Sequence, residues 1–166
     1  MKSSTILVWV VLVLGAGGLA LWGFGRQPQA LPGATATEST SALAAGKTFY
    51  NFGTISMKNG LVEKTFVIEN PTPGDILVRR IETSCMCTTA FISTESGEKG
   101  PFAMPGMGYV PPANETIPAG GSMKLKVVYD PNAHGPAGVG AIDRFVTVTD
   151  ERGGTLRFEI KALVTP

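Results

Sequence analysis

Residues 47–166 predict an all-β domain, a two-sheet antiparallel sandwich of about seven short strands. No stretch of this region sustains a helical period, whereas apolar and polar residues alternate over short runs. Turn-forming clusters separate the runs: Asn70-Pro71-Thr72-Pro73-Gly74-Asp75, Pro118-Ala119-Gly120-Gly121, Asp130-Pro131-Asn132 and Arg152-Gly153-Gly154. Half-buried alternation also argues against a parallel sheet, whose strands read as continuous apolar runs.

Residues 62–68 place Val62, Phe66 and Ile68 on one face. Residues 76–81 begin apolar, and their register is not legible from the pattern. Residues 123–129 alternate cleanly, with Met123, Leu125, Val127 and Tyr129 inward and Lys124 and Lys126 outward. Residues 144–149 put Phe145 opposite Arg144 and Val146, and residues 156–162 alternate apolar with charged. About 120 residues is a common size for one domain with one core.

The amino terminus is of a different kind. Residues 6–24, from Ile6 to Phe24, contain no charge and are filled by Leu, Val, Trp, Ala and Gly. At about 19 residues the run approaches the roughly 20 that a helix needs to cross a bilayer. Trp9 and Trp22 lie toward its ends, where amphipathic rings favour the headgroup region. We read residues 1–26 as an uncleaved single-pass anchor, with Lys2 in the cytoplasm and the rest exported. A cleavable signal peptide is the alternative, with a small-x-small site at Ala34-Thr35-Ala36. Either reading predicts a cell-membrane, extracytoplasmic location, periplasmic or cell-surface. Residues 27–46 are Pro-, Ala-, Thr- and Ser-rich with Glu38 as the only charge, and are expected to be a flexible linker.

Charge excludes one class of partner. Lys and Arg number 14 against 13 Asp and Glu, for a net charge of +1, and no basic patch stands out, so nucleic acid is not expected. The single histidine, His134, and the lack of a nucleophile elbow or phosphate-binding loop argue against hydrolase or nucleotide chemistry. No enzymatic activity is expected.

The chemistry rests on Cys85-Met86-Cys87, which holds both cysteines of the chain. Outside the cytoplasm thiols tend to be oxidised or metal-bound. On an extended strand the two Cα atoms would stand about 6.5–7 Å apart, at the upper limit for a disulfide. A bridge therefore requires a turn or bulge at Met86, and would be strained and suited to redox exchange. The same pair suits a soft cation. Met104 and Met107 add thioethers, His134 adds an imidazole, and thiolate with thioether selects copper(I). Zinc is disfavoured because one His and two Cys leave its usual four-ligand set incomplete. Plain core packing of the cysteines is the third reading.

Several motifs resemble a known family. Phe49-Tyr50-Asn51-Phe52-Gly53-Thr54-Ile55 looks like its opening Phe-x-Phe-Gly-x-Ile signature, and Phe66-Val67-Ile68-Glu69-Asn70 like its Phe-x-Phe-x-Asn strand end. Ser84-Cys85-Met86-Cys87-Thr88 is similar to its Ser-Cys-Gly-Cys-Thr, with Met86 in place of Gly. Ile117-Pro118-Ala119-Gly120-Gly121 and Val127-Val128-Tyr129-Asp130 resemble its turn and following strand. The family is the bacterial domain of unknown function 1573. It is similar to the immunoglobulin-like domains of ciliary and centrosomal proteins and of major sperm protein. Over about residues 47–165 the resemblance implies an exported immunoglobulin-like sandwich and implies little about activity.

Two expectations follow. The first is a membrane-anchored binding or scaffolding domain with a protein partner, its contact surface the long segment 93–116, read as a loop without secondary structure. The second is an extracytoplasmic copper(I)-binding or thiol-redox protein that uses Cys85 and Cys87.

Overall fold

Period-two alternation in the carboxy-terminal half closes into a sandwich of two sheets. The structure is a computed structural model that describes residues 40–94 and 97–166. The expected anchor at residues 6–24 and the linker residues 27–39 lie outside the described residues. Among the described residues no helix is long and apolar enough to cross a membrane.

The strands are β1 (Phe49–Ser56), β2 (Val62–Glu69), β3 (Ile76–Thr83), β4 (Thr88–Thr94), β5 (Gly97–Phe102), β6 (Glu115–Ile117), β7 (Ser122–Tyr129), β8 (Gly140–Asp150) and β9 (Thr155–Thr165). One sheet runs β1-β9-β8-β3-β6 and the other β2-β7-β4-β5. The inward faces interdigitate across the sandwich. Met123, Leu125, Val127 and Tyr129 of β7 and Phe158, Ile160, Ala162 and Val164 of β9 are buried, in step with their alternation. Phe66 of β2 meets Phe158 of β9 with ring centroids 5.0 Å apart, which ties the two sheets together.

Four expectations need correction. The segment 93–116 is not a plain loop: it holds β5, paired antiparallel with β4, and β6, paired with β3. These two raise the strand count to nine among the described residues. Their sequences are Gly- and Pro-interrupted or only three residues long, so periodicity does not reveal them. Nor is the sandwich wholly antiparallel, because β1 runs parallel to β9. Strands at opposite ends of the domain need no tight turn between them, and parallel pairing is then open.

The linker also ends sooner than residue 46. Ser41 N donates to Thr155 O at 3.0 Å, and Ala44 and Glu69 exchange two hydrogen bonds of 2.8 Å. Leu43 is buried in the core, and Ser41 Oγ donates to the buried carboxylate of Asp150 at 2.5 Å. One apolar side chain, one hydroxyl and three backbone hydrogen bonds dock this strap. Finally, the illegible register of β3 has a local cause. Val78 pairs with Asp150 and Arg80 with Thr149, leaving Arg79 as the extra residue of a bulge. The bulge flips the parity, so Ile76 and Val78 face inward before it and Ile81 and Thr83 after it.

The motif glycine has a similar role. β1 slips by one residue against β9 between Asn51 and Thr54, where Gly53 takes a φ of 70° and donates to Asn51 Oδ1 at 2.8 Å. A side chain at that φ would be strained.

Candidate functional site

β3 ends at Thr83 and β4 begins at Thr88 on the opposite sheet, so the chain must cross the sandwich in four residues. It does so through a turn in which Thr88 N donates to Cys85 O at 3.1 Å, with Met86 and Cys87 at the corners. The buried Thr83 hydroxyl lies 3.1 Å from Cys85 O and 2.9 Å from Thr88 O, at both ends of this turn. The turn brings the Cα atoms of Cys85 and Cys87 to 5.3 Å, within the ordinary range for a bridge, and the two sulfurs form a disulfide. The wider spacing of an extended strand is thus overturned by the turn at Met86. Met86 carries no positive φ, since Asn114 is the one such non-glycine residue described. A Cβ is therefore tolerated where the family signature has Gly.

The two sulfurs have different surroundings. Cys87 is 2% exposed, and Cys85 is only half-buried. Asp130 N donates to Cys87 O at 2.9 Å, which fastens the turn to the end of β7. The loop after β7 then carries His134 back over the pair. It is pinned by Asn132, whose backbone N donates to Asp130 Oδ1 and whose side chain donates to Met57 O. His134 Nε2 lies 3.2 Å from Cys85 Sγ. A disulfide sulfur has no proton, so the ring nitrogen is the donor here.

From the other sheet comes a residue that motif reasoning missed. Arg144 Nε donates to Cys87 Sγ at 3.2 Å, and its Nη1 donates to Asp143 O at 2.9 Å. Arg144 shares the inward parity of Ile142, Val146 and Val148 on β8. A charged residue on a strand's apolar face was the one signal in the sequence that could have found it. β8 is held to the turn by Ser84, whose N donates to Phe145 O and whose Oγ accepts from Phe145 N, both at 2.9 Å. Close by, burial pushes the Tyr129 hydroxyl above its ordinary pKa, an effect that the Arg144 charge opposes.

Of the five residues that the sequence nominated, three converge. The Cys85 and Cys87 sulfurs and a ring nitrogen of His134 all lie within 4.8 Å of one another. Met104 and Met107 flank the surface turn closed by Met107 N donating to Met104 O at 3.4 Å, and Met107 is 57% exposed.

This geometry sits partly within a recognisable family segment. Residues 43–103 match the family described as protein of unknown function (DUF1573). The resemblance read from the motifs holds over that stretch, which includes both cysteines; His134 and Arg144 fall beyond it. Among solved structures, the chain is similar to a protein of unknown function from Porphyromonas gingivalis W83, at 18% identity and a TM-score of 0.53. That alignment covers 81% of this chain and 51% of the other, so the chain spans about half the length of that relative. It shows the fold. The C. elegans MSP family member WR4 aligns at 11% identity and a TM-score of 0.41, over 75% of this chain and 99% of its own. The YadV chaperone aligns at 13% identity and a TM-score of 0.44, over 76% and 52%. Comparison with curated proteins finds no match.

Proposed function

We propose that this domain is an extracytoplasmic thiol–disulfide exchange module, tethered to the membrane through residues 6–24. One observation supports the reading above the others: each sulfur of the Cys85–Cys87 pair has its own polar partner, His134 on the more exposed sulfur and Arg144 on the buried one. Packing alone asks for neither. A guanidinium against a sulfur stabilises the thiolate form, which is the leaving group and the nucleophile of exchange.

A thiolate of a dithiol polypeptide attacks Cys85 Sγ, the accessible sulfur, and the Cys85–Cys87 bond breaks. Cys87 leaves as a thiolate held by Arg144, and a mixed disulfide joins Cys85 to the substrate. The second substrate thiolate then attacks the substrate's own sulfur. The substrate leaves as a disulfide, oxidised by two electrons, and Cys85 leaves as a thiolate beside the Nε2–H of His134. The Cys pair is reduced by the same two electrons.

The test uses the full-length chain in mild detergent and a dithiol peptide. Cys87→Ser in its free-thiol form should capture a disulfide-bonded peptide as a stable mixed disulfide through Cys85, detectable by mass. Cys85→Ser should capture far less, because its remaining sulfur is buried. Equal capture by both variants, or a wild-type disulfide that survives excess dithiol peptide, overturns the reading.

A second reading has its own support. Edge strand β1 carries two exposed aromatics, Phe49 at 49% and Tyr50 at 37% exposure. Such an edge suits a binding or scaffolding domain that accepts a partner strand through main-chain hydrogen bonds. Loss of partner capture on Tyr50→Pro, with exchange intact, would assign binding to this edge.

A further inference from the structure

We propose that the reduced Cys85–Cys87 pair and His134 form a three-coordinate site for a monovalent soft cation, copper(I), which the disulfide closes. It concerns the same residues as the exchange reading and shares its two contacts to sulfur, adding to them the mutual spacing of the three donor atoms.

The first is distance. A planar three-coordinate ion with bonds of about 2.0–2.3 Å needs donor atoms roughly 3.5–4 Å apart. The three donor atoms already lie within 4.8 Å of one another. Cys85 Sγ and His134 Nε2 stand at 3.2 Å and need to part only slightly. Reduction by a dithiol or phosphine adds two electrons and two protons and frees the two sulfurs to separate. Binding then releases both thiol protons, and His134 coordinates through Nε2 as neutral imidazole with its proton on Nδ1.

The second is donor type. Two thiolates and an imidazole are soft or borderline donors, and no carboxylate joins the cluster among the described residues. Hard oxygen-seeking ions are thereby disfavoured.

The third is charge, and it selects the valence. Two thiolates with a monovalent ion leave one negative charge. The Arg144 guanidinium, 3.2 Å from Cys87 Sγ, offsets it. A divalent ion would make the centre neutral and leave the Arg144 charge against it without a counterpart. The same arginine that favours a leaving thiolate therefore favours copper(I) over zinc(II) at this site.

The experiment uses the full-length chain in detergent, anaerobically, reduced with a phosphine that is then removed. Copper(I) is offered as its acetonitrile complex against a competing chromophoric chelator, and bound metal is counted by native mass spectrometry. The reduced chain should retain one copper(I). The oxidised wild type, with the same fold and no thiols, should retain none. His134→Gln should weaken binding by at least about tenfold, the scale on which even residues behind the ligands act. Arg144→Met should reduce the copper(I)-to-zinc(II) affinity ratio by about tenfold, a single screened charge contact. A reduced chain that yields all its copper to the chelator overturns the proposal, as does equal retention by the oxidised chain. Unchanged affinity in His134→Gln removes the imidazole from the site and with it the three-coordinate centre. Because the phosphine prepares the thiols, failure here with normal peptide exchange sinks only the metal site. Normal copper retention with no peptide exchange sinks only the exchange reading.

Discussion

Replacing Arg144 by Met keeps most of the side chain's bulk and removes its charge, which isolates the contact with Cys87. In the wild type Arg144 Nε lies 3.2 Å from Cys87 Sγ. When the pair is reduced and Cys87 ionises, this becomes a charge-assisted hydrogen bond, worth about 1.5–3 kcal/mol net. Arg144 is only half-buried, so solvent screening favours the lower end. The disulfide carries no charge and gains far less from the arginine. The residue therefore stabilises the reduced form, and its loss should make the pair harder to reduce. For a two-electron couple 1.4 kcal/mol corresponds to 30 mV, so Arg144→Met should lower the reduction potential by about 30 mV. Equilibration in glutathione buffers followed by thiol trapping and mass measurement reads this directly. A potential that stays within a few millivolts, or moves upward, refutes the assignment of Arg144 as the stabilising charge.

Three further outcomes test the fold around the site. Asp150→Ala removes the acceptor of Ser41 Oγ, Arg152 N and Gly154 N and strands buried donors. It should cost about 2–3 kcal/mol, lower the melting temperature by roughly 8–10 °C and make residues 40–46 sensitive to protease, whereas an unchanged digest would show that the strap holds without it. Phe158→Ala empties the contact with Phe66 at the centre of the sandwich and should cost about 3–5 kcal/mol in urea unfolding, with less than 1 kcal/mol counting against the core as described. Burial raises the Tyr129 pKa above its unfolded value of 10.0, so its contribution is whole below that value and is lost as pH rises through the folded one. Stability should therefore fall in alkaline titration, and Tyr129→Phe should flatten that fall; an identical slope in the variant would exclude this residue as its source.

Alternation made β7 and β9 legible because one face of each is buried and the other wetted, which leaves a period of two in the residues themselves. The same rule failed at β3 because a bulge at Arg79 shifts the parity mid-strand, and a bulge costs no particular residue type. It failed at β5 and β6 because those strands have little apolar content of their own. Their places depend on β4 and β3 presenting unpaired edges. Residues 40–46 read as linker because Leu43 and Ser41 are unremarkable until Asp150 and the core are there to receive them.

By itself, the sequence determined that a sandwich would be built mainly from antiparallel, half-buried strands, about seven of them by its alternation, and that both thiols would lie one residue apart between two of them. Those are local properties, carried by adjacent side chains. Only the tertiary structure decided what the thiols meet. His134 and Arg144 stand 49 residues beyond Cys85 and 57 beyond Cys87. They converge because the loop after β7 folds over the turn and β8 pairs with β3, and no spacing along the chain encodes either closure. The arrival of His134 beside the cysteines was likewise a matter of loop direction. The loop after β7 turns back onto the pair, pinned by hydrogen bonds at Asp130 and Asn132, and that pinning brings the imidazole to the sulfur.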